Sequence, residues 1–428
     1  MTHEHEGPAC LLTSAGPANP EPSQARLRDL SSTGALLLTQ EGWPVEQRLT
    51  LDLLGMQGGL SPVRARVVGS TRAREPVENR WSYLTSVVFE EQTFFEGGRR
   101  LPGESHLLSL AAWLPLYTQA RTPHIQERVH VSLEDGALLA KAHWLEGRRP
   151  AILLVHGVAG SSESQYMHRA AAACLEAGYH AIRLNLRGSG EGRELSRGLY
   201  HCGLTDDLHA AVRAFSGHAR VEGLLALGFS LGGSMSLLAA AQSSQGLRGV
   251  ASVSAPMDLQ KTVDHLQRSQ PLYHEYVLRG LKAAVRTHGE VWPTVTSPHQ
   301  VKQALSTRTI TEFDDVFMAP RHGFQGAADY YARSSCGPHL SRVKVPCLIL
   351  SADDDPLVPP GAVLPYVESA SDTSTFVRTP RGGHVGFISG WGRTRWQRNR
   401  AMEVVLSWAH SLLPASPTSH LPRRRHDV

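Results

Sequence analysis

No stretch of the 428-residue sequence approaches the ~20 consecutive apolar residues that a helix needs to cross a bilayer. The nearest run, HLLSLAAWLPLY (His106–Tyr117), reads as a helix docked on a core, with a membrane-surface or acyl-chain contact as the alternative. The N-terminus MTHEHEGPAC has no basic region followed by an apolar core, so no signal peptide is expected. Cysteine is scarce: Cys10, Cys174, Cys202, Cys336 and Cys347 make an odd set with no CxxC pair. That argues against a disulfide framework or a zinc site and fits a reducing cytoplasm. The formal charge of +4 is small for the chain length and gives no case for nucleic acid. The basic tail PRRRHDV is short and reads as a solvated end. No metal and no cofactor are expected.

What is present is enough apolar material for a core. Hydrophobic residues make up 41% and charged residues 19%, the balance of a soluble globular chain. At roughly 150 residues per domain the length suggests two or three domains. Residues 1–24, rich in Pro, Ser, Gly and Ala, read as a flexible lead-in. Residues 25–95 carry short stretches, several alternating (GALLLTQ, QRLTLDLL, VRARVVGS, YLTSVVFEE), broken by turn signals, and predict a small all-β unit. Residues 96–105 read as a linker. From 106 to 412, buried-type strands (AILLVH, HAIRLNL, GLLALGF, GVASVSA, PCLILSA, TFVRTP) are separated, over most of their length, by helical stretches. This predicts an α/β fold whose mostly parallel central sheet is covered on both faces. Residues 257–343 lack the alternation and predict a helical cap inserted over the sheet's C-terminal edge. Residues 413–428 form the basic tail.

The sequence LALGFSLGGSMS sets Ser230 between a predicted strand and a predicted helix. Gly228, Ser230 and Gly232 match the G-x-S-x-G elbow, in which glycines permit a tight turn that exposes the serine. A serine hydroxyl is a poor nucleophile without an adjacent base. The elbow predicts an acid and then a histidine further along the chain. LILSADDDPLVPP offers Asp355, with Asp354 as the alternative, and RTPRGGHVGF offers His384 in a glycine-rich loop. In this scheme His384 takes the proton of Ser230 as it attacks a carbonyl carbon, and the acid fixes the imidazole tautomer. In LLVHGVAGSS a strand runs through His156 and Gly157 into a small-residue loop. The backbone N–H groups of Val158 and Leu231 are the expected oxyanion donors, and His156 is expected to shape the loop. NLRGSGEG (Asn185–Gly192) is a weak match to a phosphate-cradling loop, has neither G-x-x-x-x-G-K-[ST] nor a helix-opening G-x-G-x-x-G, and reads as a loop over the same edge.

These elements together resemble the YheT-like branch of the α/β-hydrolase superfamily. HLLSLAAWLP, LLVHGVAGSSES, RLNLRGSGEG, LYHCGLTDDL, ALGFSLGGSM, TITEFDDVFMAPRHGF, ADYYARSS, LILSADDDPLVPP and GGHVGF follow in that family's order over roughly residues 100–412. The resemblance implies carboxylic-ester hydrolysis, with short acyl esters or monoacylglycerol-like lipids as substrates. It carries Ser230, Asp355 and His384 over as the triad and assigns TITEFDDVFMAPRHGF to the cap. An amide or thioester is a further alternative for the same fold.

The N-terminal unit resembles the second half of a PilZ domain, the bacterial cyclic di-GMP receptor. DLSSTG reproduces D/N-x-S-x-x-G at Asp29, Ser31 and Gly34. The family's R-x-x-x-R fork is missing, because Arg26 and Arg28 lie close to the aspartate and two apart. Either the domain is degenerate or the sequence begins late. Cyclic di-GMP contact through Arg28, Asp29, Ser31 and Gly34, with the hydrolase part as a regulated or docking module, is the competing functional reading.

Overall fold

The computed structural model describes residues 9–14, 23–30, 34–40, 43, 47–53, 63–77, 81–89, 125–367, 369–387 and 399–415. The proposed linker, the run His106–Tyr117, Ser31 and residues 416–428 lie outside these.

Eight strands form the sheet that carries the site. They are β7 (Ile125–Leu133), β8 (Gly136–Trp144), β9 (Arg149–Val155), β10 (His180–Asn185), β11 (Val221–Phe229), β12 (Leu247–Val253), β13 (Cys347–Ala352) and β14 (Ser374–Thr379). Their order across the sheet is β14-β13-β12-β11-β9-β10-β8-β7. β8 runs antiparallel to β7 and β10, and every other neighbouring pair is parallel. The parallel strands are nearly continuous runs of Leu, Val, Ile and Ala because helices cover both faces. The strand period of two divides each run between two cores. On β9, Leu153 and Val155 join the core under helices α2 (Asp206–Ser216) and α3 (Leu231–Gln242), whereas Ile152 and Leu154 face the opposite core with α1 (Gln165–Glu176) and α8 (Arg400–Leu412).

Between β12 and β13 the chain leaves the sheet. It forms α4 (Leu259–Ser269), α5 (Pro271–Val291), α6 (Pro298–Ser306), a short helical turn continuing into a π-turn (Asp314–Met318), and α7 (Ala327–Ser334). Asp258 caps α4 by accepting from the Lys261 amide, and Ser297 caps α6 in a capping box with Gln300. Leu266, Val277, Val285 and Phe313 from these helices share one core with the sheet face below α3. That face of α3 is therefore sandwiched, and Gly232 to Ala240 are all buried.

Six further strands precede the hydrolase sheet: β1 (Ala9–Ser14), β2 (Ser23–Leu30), β3 (Gly34–Thr39), β4 (Arg48–Leu53), β5 (Val63–Val77) and β6 (Trp81–Phe89). They pair antiparallel in the order β1-β4-β5-β6-β3-β2, and β1 pairs with β2 as well, so the order returns on itself. β1 lies inside residues 1–24, read from sequence as unstructured; it gains its order by pairing with β2 and β4, a long-range contact that local composition does not encode. Arg28 and Asp29 fall at the end of β2 and Gly34 opens β3. β2 also pairs in parallel with β14 at Phe376↔Asp29 and Val377↔Leu30.

Candidate active site

β11 ends at Phe229 and α3 begins at Leu231, leaving Ser230 alone in the turn. Its backbone sits at φ 51°, ψ −125°, a region that costs a non-glycine residue free energy. The turn is held by the Ser230 amide, which donates to the Val253 carbonyl at 2.9 Å, and by the Gly233 amide, which donates to the Ser230 carbonyl at 2.8 Å. The strand-to-helix crossing is so close that a Cβ on Gly228 would lie 2.2 Å from the Gly232 carbonyl oxygen. One on Gly232 would lie 2.3 Å from that of His156. Both positions therefore exclude any side chain.

Two loops bring the partners. After β13, Asp355 points its carboxylate at His384, which follows β14. His384 Nδ1 lies 3.0 Å from Asp355 Oδ1 and 2.9 Å from Oδ2, and Nε2 lies 2.9 Å from Ser230 Oγ. Asp355 Oδ1 also accepts from the amides of Leu357 (2.8 Å) and Val358 (3.0 Å), which fixes the carboxylate plane. Asp354 turns the other way, accepting the Gly382 and Gly383 amides at 2.8 Å each. Burial raises its pKa, and those two amides oppose the rise. Because a carboxylate can only accept, His384 carries its proton on Nδ1 and presents a bare Nε2 to the serine.

The loop after β9 approaches from the other side. Gly157 is so near the serine that a Cβ there would meet Ser230 Cβ at 3.0 Å. The His156 ring is fully buried and bonds its own loop: Nδ1 donates to the Gly157 carbonyl at 2.8 Å, and Nε2 accepts from the Leu186 amide at 3.2 Å. Burial pulls its pKa down to about 4, so the ring stays neutral. Ser189, from the NLRGSGEG loop, lies 2.9 Å from the same Nε2, and Asn185 Oδ1 accepts from the Ser162 amide at 2.9 Å. That glycine-rich segment thus buttresses the loop beside the serine. Two tyrosines that the sequence does not single out complete the arrangement. Tyr166 Oη accepts from the Gly157 amide at 2.9 Å and Tyr200 Oη accepts from the Ala159 amide at 2.8 Å. The amide between them, Val158, makes no hydrogen bond among the described residues, nor does that of Leu231. Ala159, Ser254 and Val385 share the positive φ of Ser230 (55°, 54° and 65°), so the strained backbone clusters around the serine.

Two cavities meet at Ser230. The one with the larger envelope, about 960 Å³ counting the solvent at its mouth, runs under the cap between α3, α4 and α5 and is lined by Leu266, Val277, Leu281, Phe313, Met318 and other mostly apolar residues. The one with the smaller envelope, about 620 Å³ counted in the same way, lies toward His384 and is bounded by Ser164, Gln165, Tyr166 and Tyr276. Val158, Ala159, Val277 and Leu357 border both.

The model of the alpha/beta hydrolase fold family matches residues 150–390, which include the elbow, the Asp355 loop and the His384 loop. The chain belongs to the alpha/beta hydrolase family and is an enzyme of the hydrolase class. It is 35% identical over 281 residues to the Escherichia coli (strain K12) protein named "Putative esterase YheT", a match covering 63% of this chain and 80% of that protein. It is 31% identical over 252 residues to "Phospholipase ABHD3" of Mus musculus, covering 57% of this chain and 60% of that one. It is 26% identical over 263 residues to "Medium-chain fatty acid ethyl ester synthase/esterase 2" of Saccharomyces cerevisiae, covering 56% and 58%. No helix among the described residues is long and apolar enough to cross a membrane.

Proposed function

We propose that the protein is a carboxylic ester hydrolase that works through a covalent acyl-enzyme on Ser230. The observation that carries this reading is the hydrogen-bonded chain from Ser230 Oγ through His384 to Asp355 at the junction of the two cavities. The alcohol oxygen of Ser230 attacks the ester carbonyl carbon as His384 Nε2 takes its proton. Asp355 holds the Nδ1–H tautomer and stabilises the imidazolium. The carbonyl oxygen becomes an oxyanion that accepts from the Val158 and Leu231 amides, each worth ~3 kcal/mol to the transition state in comparable sites. Collapse expels the alcohol, which takes the proton from His384. Water, deprotonated by the same ring, then releases the acid.

The two cavities suit the two halves of an ester. The acyl chain fits the large apolar cavity under the cap. The alcohol fits the smaller cavity, since His384 must reach its oxygen and lines that side. Relatives named as an esterase, a phospholipase and an ethyl ester synthase/esterase support acyl esters as the substrate class, and the proposal extends to short acyl esters and monoacylglycerol-like lipids. The test is hydrolysis of p-nitrophenyl acetate and butyrate with and without a fluorophosphonate. Wild type turns over and takes the label, and Ser230→Ala does neither. Equal rates for the two proteins with no label on wild type would remove the proposal.

For the N-terminal strands, the closed strand order and the DLSSTG sequence support a PilZ-like barrel. Without an R-x-x-x-R fork it binds cyclic di-GMP weakly or not at all, which titration calorimetry reads directly. Cys174, Cys202, Cys336 and Cys347 are buried free thiols, which supports a cytoplasmic location.

A further inference from the structure

The large cavity is not apolar throughout. Where the cap meets the loop that precedes α2, His201, Asp314, Tyr330 and Tyr331 all line its wall. The ring centroids of Tyr331 and Tyr330 are 5.4 Å apart and those of Tyr330 and His201 are 5.8 Å apart. Tyr331 Oη donates to Asp314 Oδ2 at 2.6 Å. Asp314 stands at the start of the π-turn, 5% exposed, in a cavity whose other lining residues are almost all aliphatic or aromatic.

Three hydrogen-bonding positions in this cluster are unfilled among the described residues. Asp314 Oδ1 has no partner. Tyr330 Oη accepts from the Cys202 amide at 3.1 Å, but its own proton goes to no acceptor. His201 Nδ1 accepts from the Gly203 amide at 3.2 Å, so the ring proton is on Nε2, where it too meets no acceptor. A buried polar group left unpaired costs about 1–3 kcal/mol, and a plain alkyl chain filling the cavity would leave these groups desolvated with nothing to bond.

Resting on the esterase reading above, we propose that this wall is a subsite for a hydroxyl group carried on the acyl chain, with Asp314 as the residue that selects it. A hydroxyl both donates and accepts, which is what the cluster asks for: Asp314 Oδ1 as acceptor and Tyr330 Oη as donor. The pKa of Asp314 is raised to about 7, first by burial and further by the neighbouring charge of Asp315, with the Tyr331 hydrogen bond opposing. Near neutrality its carboxyl is therefore available in both forms. A chain tipped with a carboxylate is a poor fit, since no lysine or arginine lines the cavity and Asp314 repels a second negative charge. Asp314 reaches the chain and not the reacting carbonyl, so it is a specificity residue and not a catalytic one.

The test compares p-nitrophenyl esters of straight-chain acids with those of the matching ω-hydroxy acids over a series of chain lengths. At the length that spans from Ser230 to the cluster, wild type prefers the hydroxy ester by about tenfold in kcat/KM, the size of one well-formed hydrogen bond. Asp314→Leu brings that ratio to about one, and the isosteric Asp314→Asn keeps part of it. A wild type that hydrolyses both series with a ratio near one at every length, or a ratio untouched in Asp314→Leu, overturns the subsite and leaves the esterase reading intact. Binding separates the two ideas from the other side. On Ser230→Ala, the methyl ester of the ω-hydroxy acid raises the melting temperature more than that of the plain acid does. If wild type cleaves none of the esters and that difference is still present, the subsite stands and the esterase reading falls. If the two methyl esters shift the melt equally, the subsite falls.

Discussion

Asp354 and Asp355 are neighbours in sequence and face opposite duties. Asp355 turns both oxygens to His384 Nδ1, at 2.9 and 3.0 Å, while Asp354 ties down the amides of Gly382 and Gly383 at 2.8 Å. One aspartate orients the ring and the other anchors the loop that delivers it. Asp355→Asn is expected to lower kcat by about 10⁴-fold, as the wrong imidazole tautomer does in other hydrolases. Asp354→Asn should keep most of kcat and lose about 1 kcal/mol of stability through weaker bonds to the loop amides. Kinetics on the two variants, beside urea unfolding of each, separate the roles. Equal losses of kcat would show that the assignment is wrong.

Tyr166 and Tyr200 engage the amides on either side of Val158 and leave that one pointing free. Tyr166→Phe and Tyr200→Phe should each lower kcat about tenfold with little change in KM, because a donor set for the oxyanion acts mainly in the transition state. A rise in KM with kcat unchanged would mean that the tyrosines bind substrate instead.

Acid should destabilise the fold. Burial lowers the pKa of His156, His180 and His322 to about 4 and that of His201 to about 3, against an ordinary 6.5. Each ring takes a proton more readily when unfolded, so its contribution is complete above pH 6.5 and drains away as the pH falls toward 4. The urea midpoint is expected to drop steadily between about pH 6.5 and pH 4. A flat profile in that window contradicts the neutral buried rings.

Asp314 acts in the opposite sense. Its folded pKa of about 7 stands above the ordinary 3.8, so between those values the folded state holds a proton that the unfolded chain has released. Stability from this group is lost as pH rises through that window. Asp314→Asn, which cannot ionise, should therefore gain on wild type as the pH is taken from about 4 to 8. Paired denaturation curves at several pH values measure the gap, and a gap that does not widen counts against a buried, proton-holding carboxyl.

Much of the site could be read from the chain alone, because its logic is serial. The elbow requires glycines at 228 and 232, and an acid and a base are expected after the last parallel strands, so Asp355 and His384 could be picked out by order as the candidates that the fold brings beside Ser230. What order could not give was which of two adjacent aspartates turns toward the ring, since that depends on the amides that Gly382 and Gly383 offer. The hairpin of β7 and β8 carries no continuous apolar run: Lys141 and His143 interrupt β8, and among the residues of β7 whose exposure is described Val131 alone is buried. The tyrosines that flank Val158 come from helix α1 and from a loop 43 residues after Gly157, a closeness made by folding and not by spacing. Asp314 was legible as part of a cap motif expected to shape the pocket, but not as the residue of that motif that turns its carboxylate into the cavity. The π-turn adds a residue to the helical repeat there, and a 3.6-residue period then assigns side chains to the wrong face.

The cap departs from β12 and rejoins at β13, two strands that lie side by side. Its two ends are therefore anchored at adjacent points of a rigid frame that also holds serine, aspartate and histidine. A roof of different shape joined at the same two points would leave the spacing of Ser230, Asp355 and His384 untouched, so pocket shape and the proposed chemistry can vary independently.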